Sequence, residues 1–293
     1  MLVVAATALV VAGCSGRGGD QSGSRPESLS DGSEPPAAGV IAFSHGLEDD
    51  IFAMSPVRGS EVRRLTKIRG PQFDPSWSPN GRKILFRDSR AGINRNDEIY
   101  VMNADGLRVR NLSRNPANDW SPAWAPDGRR IVFASTRVDG QLSLWIMRAD
   151  GTGAARLTTG ADEYPAWSPK GDWIAFGHGL PQSDIWVIRP DGSEGHALTD
   201  SLEPEWLPAW SPSGEEIVFV RGYEGQTTLW IMNADGSGQR QLTRMHGDMS
   251  PAWAPDGSRL VFVRKGSLYL MDPSGERVQS LQVEGVLPSW GKG

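Results

Sequence analysis

Across 293 residues the chain has one cysteine, Cys14, four histidines and four tyrosines. A single thiol excludes a disulfide framework, so the fold must be held by burial. No stretch sustains a 3.6-residue apolar period, which excludes a helical architecture. The longest apolar run, 2–12, spans about 11 residues, too few to cross a bilayer. No Gly-x-Ser-x-Gly elbow, His-Glu-x-x-His pair or phosphate loop occurs. The net charge of −5 and pI of about 5.5 exclude a general phosphate-binding surface, and with it nucleic acid.

What the chain has is a repeat. The phrase SPAWAPDGRRIVF from Ser121 returns as DPSWSPNGRKILF, YPAWSPKGDWIAF, LPAWSPSGEEIVF and SPAWAPDGSRLVF. Its Trp stands at 77, 124, 167, 210 and 253, with steps of 47, 43, 43 and 43. A period of 40–45 residues with several short strands marks a radial or linear repeat fold. The Phe that closes each phrase also recurs, and a sixth copy, Phe43, lies upstream without a Trp phrase. A sixth Trp, Trp290, lies at the far end without a Phe segment. Half a repeat at one end matches the missing half at the other, so a ring closed by pairing of the two terminal strands is expected.

Each repeat carries four strand signals. They are the Pro-Ala-Trp segment, the Ile-Val-Phe run, an alternating stretch such as LSLWIM, and a short one ending in Leu-Thr. The expectation is an all-β, six-bladed β-propeller with four antiparallel strands per blade. Ser-Pro-x-Gly and Ala-Asp-Gly turns place Pro and Gly where φ near −65° and positive φ are wanted. The Asp-Gly pairs read as hairpin turns, because the Asp-x-Asp-x-Asp-Gly spacing of a calcium loop is absent. Phe52, Tyr100, Trp145, Trp186, Trp230 and Tyr269 form a second series that should pack between blades, as should the repeat Trp residues.

The Trp-Ser-Pro-Asp-Gly phrase, the Ile-Val-Phe strand, the Trp-Ile-Met-Asn-Ala-Asp-Gly strand and the terminal Leu-Thr resemble the TolB-type (WD-like) propeller repeat, over roughly residues 39–290. The resemblance implies the propeller alone. No segment reads as the α/β domain that TolB carries ahead of its propeller, so the chain is not expected to be TolB itself or to serve the Tol–Pal system.

Residues 1–13 read as a signal peptide, and Val11-Ala12-Gly13-Cys14 resembles the bacterial lipobox, which makes Cys14 the lipidated residue. Residues 14–38 are rich in Gly, Ser and Pro and cannot bury enough surface to fold, so they read as a flexible linker. The head, residues 39–290, is then exported and anchored to the cell membrane through Cys14, on its extracytoplasmic or periplasmic face, as a monomer.

Four strands per blade sort the loops onto two faces. The strand one-to-two and three-to-four turns are alike in every copy, whereas the two-to-three loops vary in length. A scaffold repeats its structural turns and varies its working loops. The varied face should therefore bind, at its central mouth. Five positions before the repeat Trp stand Asp119, Asp162, Glu205 and Asp248, with Gln72 and Gly285 completing the series. One position on stand Trp120, Glu163 and Trp206, with Phe73, Met249 and Val286. As a channel rim, the four carboxylates could hold a cation, receive a basic peptide or form only a hydrated acidic edge over inter-blade packing, and the aromatics suit protein or sugar recognition. His45 and His178, each two residues after a repeat Phe, read as loop residues. No cofactor is required.

These readings converge on a non-catalytic envelope protein that binds a protein or peptide partner, with no catalytic residues assigned. The alternative is a carbohydrate-active or other small-substrate enzyme using the rim carboxylates. A sialidase-like version of it would need a channel cluster of Arg and Tyr, for which four tyrosines are few.

Overall fold

The computed structural model describes residues 39–45, 50–89 and 96–292. The segments expected to be signal peptide and linker, and Cys14 with them, lie outside these residues. Every regular element described is a β-strand. Blade 1 begins with β1 (Val40–His45), β2 (Asp50–Met54) and β3 (Arg63–Arg64). Blade 2 is β4 (Gln72–Trp77), β5 (Lys83–Asp88), β6 (Glu98–Asn103) and β7 (Arg110–Asn111). Blade 3 is β8 (Asp119–Trp124), β9 (Arg130–Val138), β10 (Gln141–Arg148) and β11 (Ala155–Arg156). Blade 4 is β12 (Asp162–Trp167), β13 (Ile174–His178), β14 (Asp184–Ile188) and β15 (His196–Ala197). Blade 5 is β16 (Glu205–Trp210), β17 (Glu216–Arg221), β18 (Thr228–Asn233) and β19 (Arg240–Gln241). Blade 6 is β20 (Asp248–Trp253), β21 (Leu260–Arg264), β22 (Ser267–Met271) and β23 (Gln279–Glu284), and β24 (Val286–Gly291) follows it.

The last strand belongs to the first sheet, whose order is β24-β1-β2-β3. Ile41 lies opposite Trp290 and Ala42 opposite Ser289, antiparallel. Each innermost strand touches the next around the circle, from β4 through β20 to β24 and back to β4. Six blades in a closed ring are therefore what the split repeat predicted. Gly291 has a local reason at the closure. A Cβ there would lie 2.3 Å from the Trp77 ring of blade 2, so only glycine lets the two walls meet.

Burial supplies the cohesion. Phe43, Phe86, Phe133, Phe219 and Phe262 are fully buried in the second strands. Each stands across from the second aromatic series, as in Phe43–Phe52 and Phe86–Tyr100. The repeat Trp of each blade packs onto the blade before it. Trp124 joins Leu85, Ile99 and Val101 of blade 2, and Trp253 joins Val218, Leu229 and Ile231 of blade 5. Both aromatic series thus mortar neighbouring blades, and truncating one buried Phe would cost about 3–5 kcal/mol.

The Leu-Thr signature also has a local cause. It lies just past each short fourth strand. Its Thr oxygen accepts the backbone N–H of the third strand, from Ile51 to Thr66, Leu144 to Thr158, Ile185 to Thr199 and Leu229 to Thr243, at 2.8–3.0 Å. The hydroxyl satisfies a donor that the two-residue strand leaves open.

The two faces differ as the loop lengths implied. On one, every Pro-x-Gly turn closes through the same bond, from Gly81 to Ser78, Gly128 to Ala125, Gly171 to Ser168, Gly214 to Ser211 and Gly257 to Ala254, each 2.9 Å. In the Asp-Gly turns the Asp carboxylate accepts its own turn's N–H, as Asp235 does from Ser237 at 2.9 Å.

Candidate functional site

The central channel is built from the most regular part of the repeat. In each innermost strand the register slips between the residue four before the Trp and the residue one before it, for example between Phe73 and Ser76 opposite Arg87 and Leu85. Two residues then oppose one, a β-bulge. The first bulged residue is left-handed in every blade: Asp74, Ser121, Tyr164, Leu207, Ser250 and Leu287, with φ of 49–54°. A proline follows each. Lacking an N–H, proline suits an edge strand where the ladder is broken. These twelve residues, with Ser76, Ala252 and Ser289, line a lumen cavity of about 220 Å³.

None of the four recurring carboxylates lines that lumen. Asp119, Asp162, Glu205 and Asp248 are each at most 1 % exposed. Each turns into its own blade and meets an Arg or, in blade 4, a His at the end of the second strand. Asp119 takes Arg137 at 2.7 and 3.2 Å, and Asp248 takes Arg264 at 2.6 and 2.8 Å, both two-pronged. Glu205 accepts from Arg221 at 2.5 Å through one oxygen, while its Oε2 has no partner among the described residues. Asp162 meets His178 Nδ1 at 2.5 Å. The same side chains lie over the two aromatic series: Arg221 is 3.9 Å from the Trp230 ring centre, and the His178 ring 4.4 Å from that of Trp186. The hydrogen bond to Asp248 is the largest of the effects that raise the Arg264 pKa above its ordinary value. His178 and His45 end β13 and β1 and pack against their blades' aromatics, so they are strand residues and not loop residues.

The series breaks where the sequence said it would, and for steric reasons. A Cβ on Gly285 would lie 2.5 Å from the Phe43 ring, so no carboxylate fits there. In blade 2 the polarity is exchanged, with buried Gln72 opposite buried Asp88. Blade 1 makes its own version with Asp50, which bonds Arg64 at 2.5 Å and Thr66 at 3.1 Å.

The residues one step further on behave differently. Trp120, Glu163 and Trp206 are half-buried. Trp120 packs on the blade 3–4 cluster with Trp167 and Leu144. Trp206 approaches the Tyr164 ring at 5.9 Å. The Glu163 carboxyl makes no hydrogen bond or ion pair among the described residues. Burial first, and then the Asp74 carboxylate, push its pKa up to about 7. Burial followed by the same two carboxylates raises the Tyr164 hydroxyl well above its ordinary range. Asp74 is steadied by the Ser121 N–H at 3.2 Å and by Arg87 at 3.5 Å, which lies over Phe73 and also nears Asp97 at 3.6 Å. Glu163, Tyr164, Trp206, Asp74, Phe73 and Arg87 thus make the mouth polar and aromatic, with Asp74 paired to Arg87 and Glu163 left without an ion pair among the described residues. No group of three His, Cys, Asp or Glu placed to hold a metal occurs among the described residues.

Sequence reasoning missed Arg137, Arg221 and Arg264. Their signal is an Arg two residues after the repeat Phe in blades 5 and 6, hairpin-paired to the acid five before the Trp. In blade 3 the longer β9 moves it to four.

A family model described as the TolB beta propeller domain matches residues 50–206. No curated protein matches the chain in sequence. Among solved structures the chain is similar to TolB from Acinetobacter baumannii, with TM-score 0.75 and 19% identity, covering 89% of this chain and 68% of that one. It is similar to the putative TolB from Agrobacterium tumefaciens, with TM-score 0.69 and 19% identity over 86% and 91% of the two chains. It is also similar to a chain of the Nidogen/Laminin complex, with TM-score 0.70 and 13% identity over 87% and 98%. At these identities the likeness is one of fold.

Proposed function

The chain belongs to the TolB beta propeller family, and from that premise we propose that it is a non-catalytic, membrane-anchored envelope protein whose propeller docks a partner protein. One observation carries the reading. The recurring carboxylates are consumed in ion pairs, while Trp206, Tyr164 and Glu163 stand together at the mouth without such neutralisation. Half-buried aromatics beside an uncompensated polar group match the composition of protein-recognition hot spots. Anchoring rests on the lipobox-like Val11-Ala12-Gly13-Cys14, and Cys14→Ser should move the head to the soluble fraction.

The docking claim is tested with a photo-crosslinking amino acid at position 206 and, as control, at Lys170 in a tight turn of the other face. Adducts to a discrete envelope protein should form from position 206 only. Equal adducts from both positions, or none, would contradict the reading.

One observation favours the enzymatic alternative. Glu163 titrates near neutrality beside Asp74, as a proton donor would. Turnover of a cell-wall glycan that disappears in Glu163→Gln would establish it in place of docking.

A further inference from the structure

The varied face is not uniform around its ring. Four consecutive loops over blades 4 to 6 are hydrogen-bonded in series. Glu205 N–H donates to Ser183 O at 2.7 Å and Ser183 Oγ returns to Glu205 O at 2.7 Å. Gly222 N–H donates to Pro204 O at 3.0 Å, and Gly247 N–H to Thr227 O at 3.0 Å. Tyr223 reaches the Leu202 carbonyl with its hydroxyl, and Gln182 donates to the same carbonyl. Each of these loops exposes one large apolar side chain: Leu180 at 42 %, Leu202 at 89 %, Tyr223 at 56 % and Met245 at 53 %. The other exposed large apolar residues described, Val57, Leu107 and Val278, fall singly at the strand three-to-four turns of blades 1, 2 and 6. Four apolar side chains on loops tied into one surface form a patch of the kind that marks an interface.

The same loops are acidic. Asp184, Asp200, Glu203 and Glu224 stand among them against one cation, Arg244. Asp200, Glu203 and Glu224 are exposed. Burial first, and the neighbouring Asp200 among further effects, hold the Asp184 carboxyl above its ordinary range. The opposite half of the face contrasts in both respects. Its described strand four-to-one loops, 66–71 and 113–118, expose Lys67, Arg69 and Arg114, the blade 3 turn between β9 and β10 exposes Asp139, and none exposes a large apolar side chain.

We propose that loops 179–184, 200–205, 222–227 and 244–247 form an off-axis docking surface for a cationic amphipathic segment of the partner protein. The proposal rests on the partner-binding reading and gives it a location and a ligand chemistry. Apolar side chains of the segment seat on Leu202, Tyr223 and their neighbours. Its Lys or Arg side chains meet Glu203, Glu224 and Asp200, and the basic half of the face repels them from the wrong side. An acidic segment or an anionic lipid surface meets like charge on these loops.

The test uses the full chain and two fluorescein-labelled peptides of equal length, one alternating Lys with Leu and one alternating Glu with Leu, followed by fluorescence anisotropy. The cationic peptide should bind at least tenfold tighter than the acidic one, and more weakly as salt rises. Glu203→Lys with Glu224→Lys should weaken it at least tenfold. Leu202→Ser should weaken it with the salt dependence kept, and Arg69→Glu with Arg114→Glu should not weaken it. All five positions are exposed, so the variants fold. Equal binding of both peptides, no binding of either, or cationic binding unchanged by charge reversal would overturn the proposal. So would association with phosphatidylglycerol vesicles, or self-association in sedimentation, that Leu202→Ser abolishes. If the peptides fail while crosslinks from position 206 persist, the surface is misplaced and the partner reading stands. If those crosslinks vanish too, both fall.

Discussion

Blades 4 and 6 begin their innermost strands with the same residue and finish the bond differently. In blade 6 Asp248 is gripped by both prongs of Arg264, whose side chain is 12 % exposed. In blade 4 Asp162 meets one nitrogen of His178, whose side chain is 35 % exposed. A guanidinium is always charged and offers a planar fork, whereas an imidazole offers one bond and a charge that depends on pH. Beside this looser lock stands Glu163, the half-buried carboxyl without a partner among the described residues. Where the repeat is kept, the acid is structural. Where it is relaxed, the mouth gains chemistry that can be used on a partner.

The contrast can be broken hardest at its tight end. Asp248→Ala leaves the Arg264 charge buried without its carboxylate and should cost about 3–5 kcal/mol, read from urea unfolding. Asp162→Ala should cost clearly less, because the imidazole it strands is 35 % exposed and reaches water.

A second variant asks whether the sixth position lacks an acid for want of space. Gly285→Asp adds a fifth acid to the series in sequence, yet its Cβ would fall 2.5 Å from the Phe43 ring. A loss of roughly 3 kcal/mol is expected, by analogy with overpacked cores. Unchanged stability would show that the gap is not steric.

The smaller effect is one of pH. Glu163 holds its proton up to about pH 7 in the folded chain, against an ordinary value of 4.5. The folded state therefore binds the extra proton between those limits. Its contribution is fully present below about pH 4.5 and is lost as pH rises through 7, roughly 2 kcal/mol after allowing for solvent. Glu163→Gln should flatten that part of the stability profile and be the more stable protein at pH 8. A profile identical to that of the parent chain would remove Glu163 from the account.

The ring was legible because its evidence is one-dimensional. A 43-residue step, a Phe without its Trp at one end and a Trp without its Phe at the other determine the closure of β24 on β1. The aromatic series were legible for the same reason. The site was half legible. Spacing found Asp119, Asp162, Glu205 and Asp248 as a register, and Trp120, Glu163 and Trp206 as the next. It could not say which way either register points, because the bulge at Asp74–Pro75 and its equivalents interrupts the alternation on which such readings depend. The partners of the acids were hidden by their irregularity, Arg137 displaced by the longer β9 and His178 standing for Arg in blade 4. The apolar loops of blades 4 and 5 follow no repeat, so only their proximity in space exposes them.

The central claim is that the recurring carboxylates hold the blades and do not bind ligand. A double-mutant cycle tests it, comparing Asp248→Asn, Arg264→Gln and the pair by urea unfolding in buffer free of divalent cations. The account predicts a coupling energy of about 2 kcal/mol, with the double variant far less destabilised than the sum of the singles. Additivity within about 0.5 kcal/mol would contradict it, because two groups that lock each other cannot be removed independently.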